Sequence, residues 1–480
     1  MASLLTADDF LAGVRCLKLL WYRRHQPHRD EPSLYRAYQA DQLRRLREVA
    51  LGPGPPDAAV VRASGPGGAT AVRASGPRGS SLEATAEAVE ASGETRSAIL
   101  LRPVTSVKEA LVWEAAFLDY VFAAAGAPVD EIRARYLDKS YRRVEGDRYE
   151  GLITEVDLTR RARGRRGEVE ERLTEMADVL SLSEARLEER VEPCRRRHCP
   201  VCARAERRLE RLEERAARVE AAEEGGGAEP RGRGELSRAE EIELAALRNG
   251  RPHVEAAALE EFFNELRYPL FFLDFEAYSE AVPSLAGVAP WEHVPVIYSL
   301  HRLDAPSSVP VHTVYSSPPE ADGRAALFRD VASRLGNEGS ILVYGKGFER
   351  KMLEQLAPAV EISGLDPVGE ELAGLVDRLV DLSAPFARHH YYHPGQLGSA
   401  SLKAVYRALV GTAYEDLEVA DGRAANVFYY FLRYGFPEGH EPSSNGFGPS
   451  SGGLLEKLEH YCSLDTAAMI EIVRALQLAV

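Results

Sequence analysis

What this chain has little of narrows it first. Its 480 residues include 5 cysteines, 4 methionines and 3 tryptophans. An odd and sparse set of cysteines excludes a disulfide-stapled secreted scaffold, and a reducing cytoplasm with thiols available to a metal or cluster is the expectation. No stretch reaches the roughly 18 apolar residues of a membrane span. The first residues lack the apolar core of a secretory leader, so no membrane partner is expected. Positive charge is also short, with 59 Lys and Arg against 74 Asp and Glu for a net charge of −15. That excludes a uniformly basic nucleic-acid binder, but not a nuclease, in which acidic metal ligands and local basic patches coexist. What remains, 45% hydrophobic and 28% charged, is ordinary globular composition. The length suits two or three domains of about 150 residues.

The texture is uneven along the chain. Residues 1–205 read as a first domain that opens with helix, since Phe10, Val14, Leu17 and Trp21 recur at helical spacing. Within it, residues 51–81 are a low-complexity insertion: VRASGPGGA at 61–69 is echoed by VRASGPRGS at 72–80, and disorder is expected there. LEATAEAVEAS (82–92) has a helical look, and 110–125 is an apolar helix. Residues 206–260 form a charged helical linker interrupted by the flexible GGGAEPRGRG at 225–234. Residues 261–480 form an α/β domain. Strands are expected at 269–278, 294–303, 309–317, 340–345 and 378–382, with helices at 324–335, from Phe348, and over 460–476. Three consecutive strands at its start point to a meander.

Acidic residues stand out in this second domain. Asp274 and Glu276 lie two apart on the first strand and therefore share one face. Phe271, Phe272, Leu273 and Phe275 around them argue against a solvated face. Two buried like charges call for a cation, and hard divalent ions take oxygen ligands. Tyr461 and Asp465 lie four apart on the last helix, on one face of it. Glu349 sits in the first turn of the helix that follows SILVYG, where the helix dipole favours it.

This order of motifs resembles the DEDD superfamily of 3′–5′ exonucleases, which have an RNase H-like fold. D-x-E on the first strand is matched by Asp274 and Glu276. Y-x-x-x-D on the last helix is matched by Tyr461 and Asp465, in a Y-C-x-x-D-T string similar to the proofreading domains of family B polymerases. The middle motif reads Phe348-Glu349 where the superfamily has Phe or Tyr followed by Asp. Further strings are similar to a family of bacterial proteins of unknown function that joins a RecB-like iron–sulfur nuclease half to such an exonuclease half. These are YPLFFLDFEAYS (268–279), VYGKGFER (343–350), GSASLKAVYRALV (398–410) and YCSLDTAAM (461–469). The resemblance implies two Mg²⁺ or Mn²⁺ ions held by Asp274, Glu276, Glu349 and Asp465, with Tyr461 orienting the attacking water. It leaves Asp381, Ser401 and Lys403 as supporting or substrate-backbone contacts.

The first domain carries Cys194, Cys199 and Cys202 in C-x4-C-x2-C, with Cys16 far upstream. One remote cysteine and three clustered ones resemble the iron–sulfur nucleases of the RecB type, and four thiolates suit a cubane cluster. Zinc, with His198 as a further ligand, is the alternative. The segment 97–126 is similar to the E-x-K stretch of those nucleases, but Leu100 and Arg102 occupy the E and K positions and Leu118 the glutamine position. The strand bearing the upstream acid looks deleted. A catalytically dead, restriction-endonuclease-like α/β domain is therefore expected, acting as a platform. The arginines at 160, 161, 163, 165 and 166 and at 195–197 are available to phosphates. The whole is expected to be a metal-dependent exonuclease on single-stranded or frayed nucleic acid, with DNA favoured over RNA. The alternative is a non-catalytic nucleic-acid-binding iron–sulfur or zinc protein in which both halves have decayed.

Overall fold

Thr6 starts the first helix: its hydroxyl accepts the Asp9 amide while the Asp9 carboxylate accepts the Thr6 amide. This capping box places α1 (Ala7–Arg15) directly after β1 (Leu4–Thr6). The computed structural model describes residues 4–26, 33–51, 70–146, 148–194, 199, 201–202, 208–224, 236–364, 368–411, 422–437 and 451–480. Two compact units share the chain: Met1–Ala203 with Glu280–Glu292, and Arg204–Ser279 with His293–Val480.

In the first unit α2 (Leu17–His25) and α3 (Ser33–Leu51) precede β2 (Thr70–Ser75), β3 (Ser81–Ala86), β4 (Ala88–Ser92) and β5 (Thr95–Arg102). Then come α4 (Glu109–Ala124), β6 (Glu131–Leu137), β7 (Ile153–Asp157), α5 (Thr159–Arg163), α6 (Arg166–Leu180) and α7 (Glu184–Arg190). The strands make two sheets, ordered β1-β3-β2 and β4-β5-β6-β7. Helix α4 is apolar on nearly all sides and forms the centre of the core, where Phe117 stacks on Phe10 at 4.9 Å. Residues 280–292 complete this unit. Glu280 is buried and pairs with Arg45 at 2.8 Å, the Ala281 amide donates to Gln42, and the Trp291 indole donates to the Pro103 carbonyl.

Two expectations fail here. The second repeat copy, 72–80, is not disordered: it supplies most of β2, paired antiparallel with β3. Residues 82–92 are strands rather than helix. Leu82, Ala84 and Ala86 are buried in strict alternation, so a period of two and cross-strand pairing outweigh the helix preference of alanine and glutamate. Glu87 lies at the step between β3 and β4.

The second unit begins with α8 (Arg208–Glu224), α9 (Arg238–Asn249), β8 (His253–Val254) and α10 (Ala256–Asn264). Residues 206–260, expected as a linker, therefore contribute packed helices to this unit. Arg208 pairs with the buried Glu243 at 2.6 Å, and His389 contacts the same carboxylate. The segment 225–234 lies outside the described residues.

Next are β9 (Leu270–Tyr278), β10 (Val294–Leu303), β11 (Val311–Ser316), α11 (Arg324–Leu335), β12 (Ser340–Val343), α12 (Lys346–Ile362), α13 (Gly369–Asp377), β13 (Leu379–Asp381), α14 (Ala384–Ala387) and β14 (Tyr391–Tyr392). The unit closes with α15 (Leu402–Val410), α16 (Gly422–Tyr434) and α17 (Ser451–Gln477). The five-stranded sheet is ordered β11-β10-β9-β12-β13. Its first three strands form an antiparallel meander, and β12 runs parallel to both its neighbours.

Strand β9 is apolar on both faces because both are covered. Phe271, Leu273 and Phe275 pack against α11 and α12, whereas Leu270 and Phe272 join the cluster that contains Met469, Ile470 and Val473 of α17. Asp274 and Glu276 follow the second set and so share the face covered by α17. Among the described residues no helix is long and apolar enough to cross a membrane.

Candidate metal centres

The acidic centre is built where the central strand meets the last helix. Asp274 and Glu276 project from β9 and Asp465 from α17, and one oxygen of each lies within 4.8 Å of the others. Glu276 and Asp465 are buried, 8% and 7% exposed. Burial pushes the Asp274 carboxyl well above the usual range, and the charges of Asp465, Glu276 and Glu349 push it further. Such a set is unfavourable by itself and becomes favourable around a hard cation.

Glu349, the fourth expected carboxylate, stands outside that triad but acts on Asp274 through its charge. It is 3% exposed on the first turn of α12, and burial, with repulsion from Asp381, moves its pKa up to about 8. Its Oε2 is buried with no hydrogen-bond partner. A buried carboxylate oxygen left in this condition fits a site completed by a cation or a water on one. Gly345 caps this helix at φ 101°, a left-handed conformation that glycine adopts at least cost.

Tyr461 is 3% exposed, one turn before Asp465, and the Lys403 ammonium lies 4.6 Å from its ring centroid. Asp381 and Ser401 have structural work. Asp381 accepts the amides of Gly345, Lys346 and Ser383 and so anchors the start of α12. Ser401 caps α15. Cys462 is fully buried and touches the site, its Sγ 3.3 Å from Asp274 Oδ2. The signal was available: position 462 is three before Asp465 and so faces the same way on the helix.

In the first unit Cys16, at the break between α1 and α2, meets Cys194, Cys199 and Cys202, all four sulfurs within 4.8 Å of one another. Burial pushes the Cys202 thiol up to about 11 and Cys16 higher still. At Cys199 burial acts upward, but the amides of Cys202 and Val201 prevail and lower the pKa. Four clustered thiols, of which Cys16 and Cys202 are held protonated by burial, suit a thiophilic metal whose charge displaces the protons. His198 lies outside the described residues.

The E-x-K region of the same unit holds no comparable centre. Leu100 and Leu118 are buried in the core. Arg102 lies between two buried carboxylates, bonded to Glu87 at 2.6 Å and to Glu114, while Arg47 adds a second guanidinium at 3.3 Å from Glu87. Burial by itself would lower the pKa of Arg102, but Glu114 and Glu87 overcome it and raise the value.

The arginine run is also partly committed. Arg163 donates to the carbonyls of Val129 and Asp130, Arg165 pairs with Glu109 over the Trp113 ring, and Arg166 pairs with Asp119. Arg160 and Arg161 are exposed, and positions 195–197 lie outside the described residues. No curated protein and no solved structure matches the chain. Residues 271–401, which include Asp274, Glu276 and Glu349 but not Tyr461 or Asp465, match a family described as a domain of unknown function (DUF2779).

Proposed function

We propose that the second unit is a metal-dependent 3′–5′ exonuclease of the DEDD type, with an RNase H-like fold, acting on single-stranded or frayed ends, DNA in preference to RNA. The observation that carries this reading is the convergence of Asp274, Glu276 and Asp465 within 4.8 Å in a buried site. Mg²⁺ or Mn²⁺ ions, when bound, would supply the chemistry of an activated water and of charge stabilisation at the leaving 3′ oxygen. Asp274, Glu276 and Asp465 would hold the ions, with Glu349 as a further ligand. The Tyr461 hydroxyl orients the attacking water. Lys403, held over the Tyr461 ring, faces the developing phosphate charge.

Exposure on the first turn of α12 is inverted: Phe348 is 38% exposed while Glu349 beside it is 3% exposed. An apolar ring in solvent beside an acidic site supports binding of unpaired bases by stacking. The first unit serves as a platform whose four cysteines hold a metal centre. The resemblance favours an iron–sulfur cluster. The 3.6 Å between Cys16 and Cys202 sulfurs is near the roughly 3.8 Å tetrahedron edge around one zinc ion with bonds of about 2.3 Å. Iron, sulfide and zinc analysis of purified protein separates the two.

The test of activity is gel-resolved digestion of 5′-labelled single-stranded DNA and RNA with Mn²⁺. Wild type gives a ladder shortening from the 3′ end, and Asp274→Ala gives none. Equal digestion by both proteins would sink the assignment. No ladder with either, together with retained salt-sensitive binding, would transfer it to the non-catalytic platform.

A further inference from the structure

Beside the acidic triad lies a polar chain that the reaction does not use. Ser299 on β10 stands directly opposite Asp274 in the β9 register, and Thr466 follows Asp465 on α17. Both hydroxyls are fully buried and lie 2.8 Å apart, so the neighbour of one metal-binding carboxylate is bonded to the neighbour of another. His301 Nδ1 lies 2.8 Å from the Thr466 hydroxyl, and His312 Nε2 lies 3.0 Å from that of Ser299. The two imidazoles stack at 4.4 Å.

The hydrogens can be assigned by counting. A threonine hydroxyl has one hydrogen and two lone pairs. Thr466 gives its hydrogen to the Ser463 carbonyl at 3.0 Å, so it accepts from both Ser299 and His301. Ser299, having donated to Thr466, accepts from His312. Thr466 thus uses its hydrogen and both lone pairs, Ser299 both donates and accepts, and the chain runs one way from the edge strand β11 to the helix.

Two valines would dock α17 on the sheet with less desolvation, but an apolar contact tolerates sliding. A satisfied hydrogen bond fixes both distance and direction, and metal ligation tolerates only about 0.2 Å. We propose that Ser299 and Thr466 form a positioning clamp that sets the separation of Asp274 from Asp465, and hence the divalent-cation affinity of the triad. This rests on the reading that the triad holds divalent ions.

The experiment is Mn²⁺ binding to the full chain without nucleic acid, by calorimetry, well below the unfolding temperature. Thr466→Val keeps the shape and removes the hydroxyl, and affinity falls roughly tenfold, as for other partners that orient metal ligands. Thr466→Ser restores the hydroxyl that accepts from Ser299 and binds within about threefold of wild type on the same scale. In activity assays the Mn²⁺ concentration at half-maximal rate rises while kcat at saturating Mn²⁺ holds.

A merely structural role would move the melting temperature and leave Mn²⁺ affinity alone, and that outcome overturns the clamp. Should Thr466→Val fail to fold, the double change Ser299→Ala with Thr466→Val, which leaves neither hydroxyl facing an apolar replacement, is measured in its place, with the same expected loss. Wild type that binds no Mn²⁺, or binds it equally as Asp274→Asn, overturns the metal-site reading and the clamp together. Asp274-dependent binding that ignores the Thr466 and Ser299 changes overturns the clamp alone.

Discussion

Each unit buries a group of carboxylates, and the two groups are handled in opposite ways. In the first, Glu87 and Glu114 close on Arg102, so the chain supplies its own cation and every charge has a fixed partner. In the second, burial and three further carboxylates dominate the environment of Asp274, and its proton affinity rises. A buried acid cluster answered by a guanidinium is part of the scaffold. One whose members repel each other has the chemistry to hold a cation from solution. The acidity of the two groups is alike; what differs is whether the sequence resolves it.

The largest effect that can break this comparison is expected at Arg102. Arg102→Met leaves the buried Glu114 without its guanidinium and Glu87 with Arg47 alone, and should cost about 3–5 kcal/mol, read by denaturant unfolding. A loss below about 1 kcal/mol would place this triad with ordinary surface pairs.

Next in size is the response to metal. Mn²⁺ at a hundredfold its dissociation constant should stabilise the wild type by about 2.7 kcal/mol. Asp465→Asn should abolish that gain and leave the Arg102 cluster untouched. Equal stabilisation of both proteins would remove the triad from the account.

The smallest effect is a slope in pH. Folded Glu349 keeps its proton up to about 8, whereas the unfolded chain releases it near 4.5, so metal-free stability falls as pH rises between those values. His301, pushed down to about 4 by burial and by His312, acts in the opposite sense below 6.5. Between pH 6.5 and 8, above the range of His301, thermal melts should show a decline that Glu349→Gln reduces, the raised Asp274 carboxyl supplying the rest in the same sense.

The centre of the second unit was legible because its residues obey the periods of regular elements. D-x-E on a strand and Y-x-x-x-D on a helix each place two groups on one face, and no tertiary knowledge is needed. Strand β3 was misjudged because alanine and glutamate favour helix locally, while the alternation that decides the matter spans only Leu82 to Ala86. The Glu87–Arg102 pairing was hidden by the same error. The contact between Ser299 and Thr466 joins positions 167 apart, and no local spacing announces it. Convergence of Glu349 was expected in full and obtained in part: its place on α12 is right, but its oxygens stand off from the triad.

One feature of chain routing bears on inheritance. The segment Glu280–Glu292 leaves from the strand that carries Asp274 and Glu276 and belongs to the other unit, where Glu280, Ala281 and Val282 are buried. Neither unit is therefore a continuous stretch of gene. A fragment ending near residue 205 lacks side chains that fill its own interior, and a single crossover that exchanged one half would bring in a mismatched insert. Drift in the first unit is thereby constrained by the strand that carries Asp274 and Glu276, so the two units are expected to be kept or lost together.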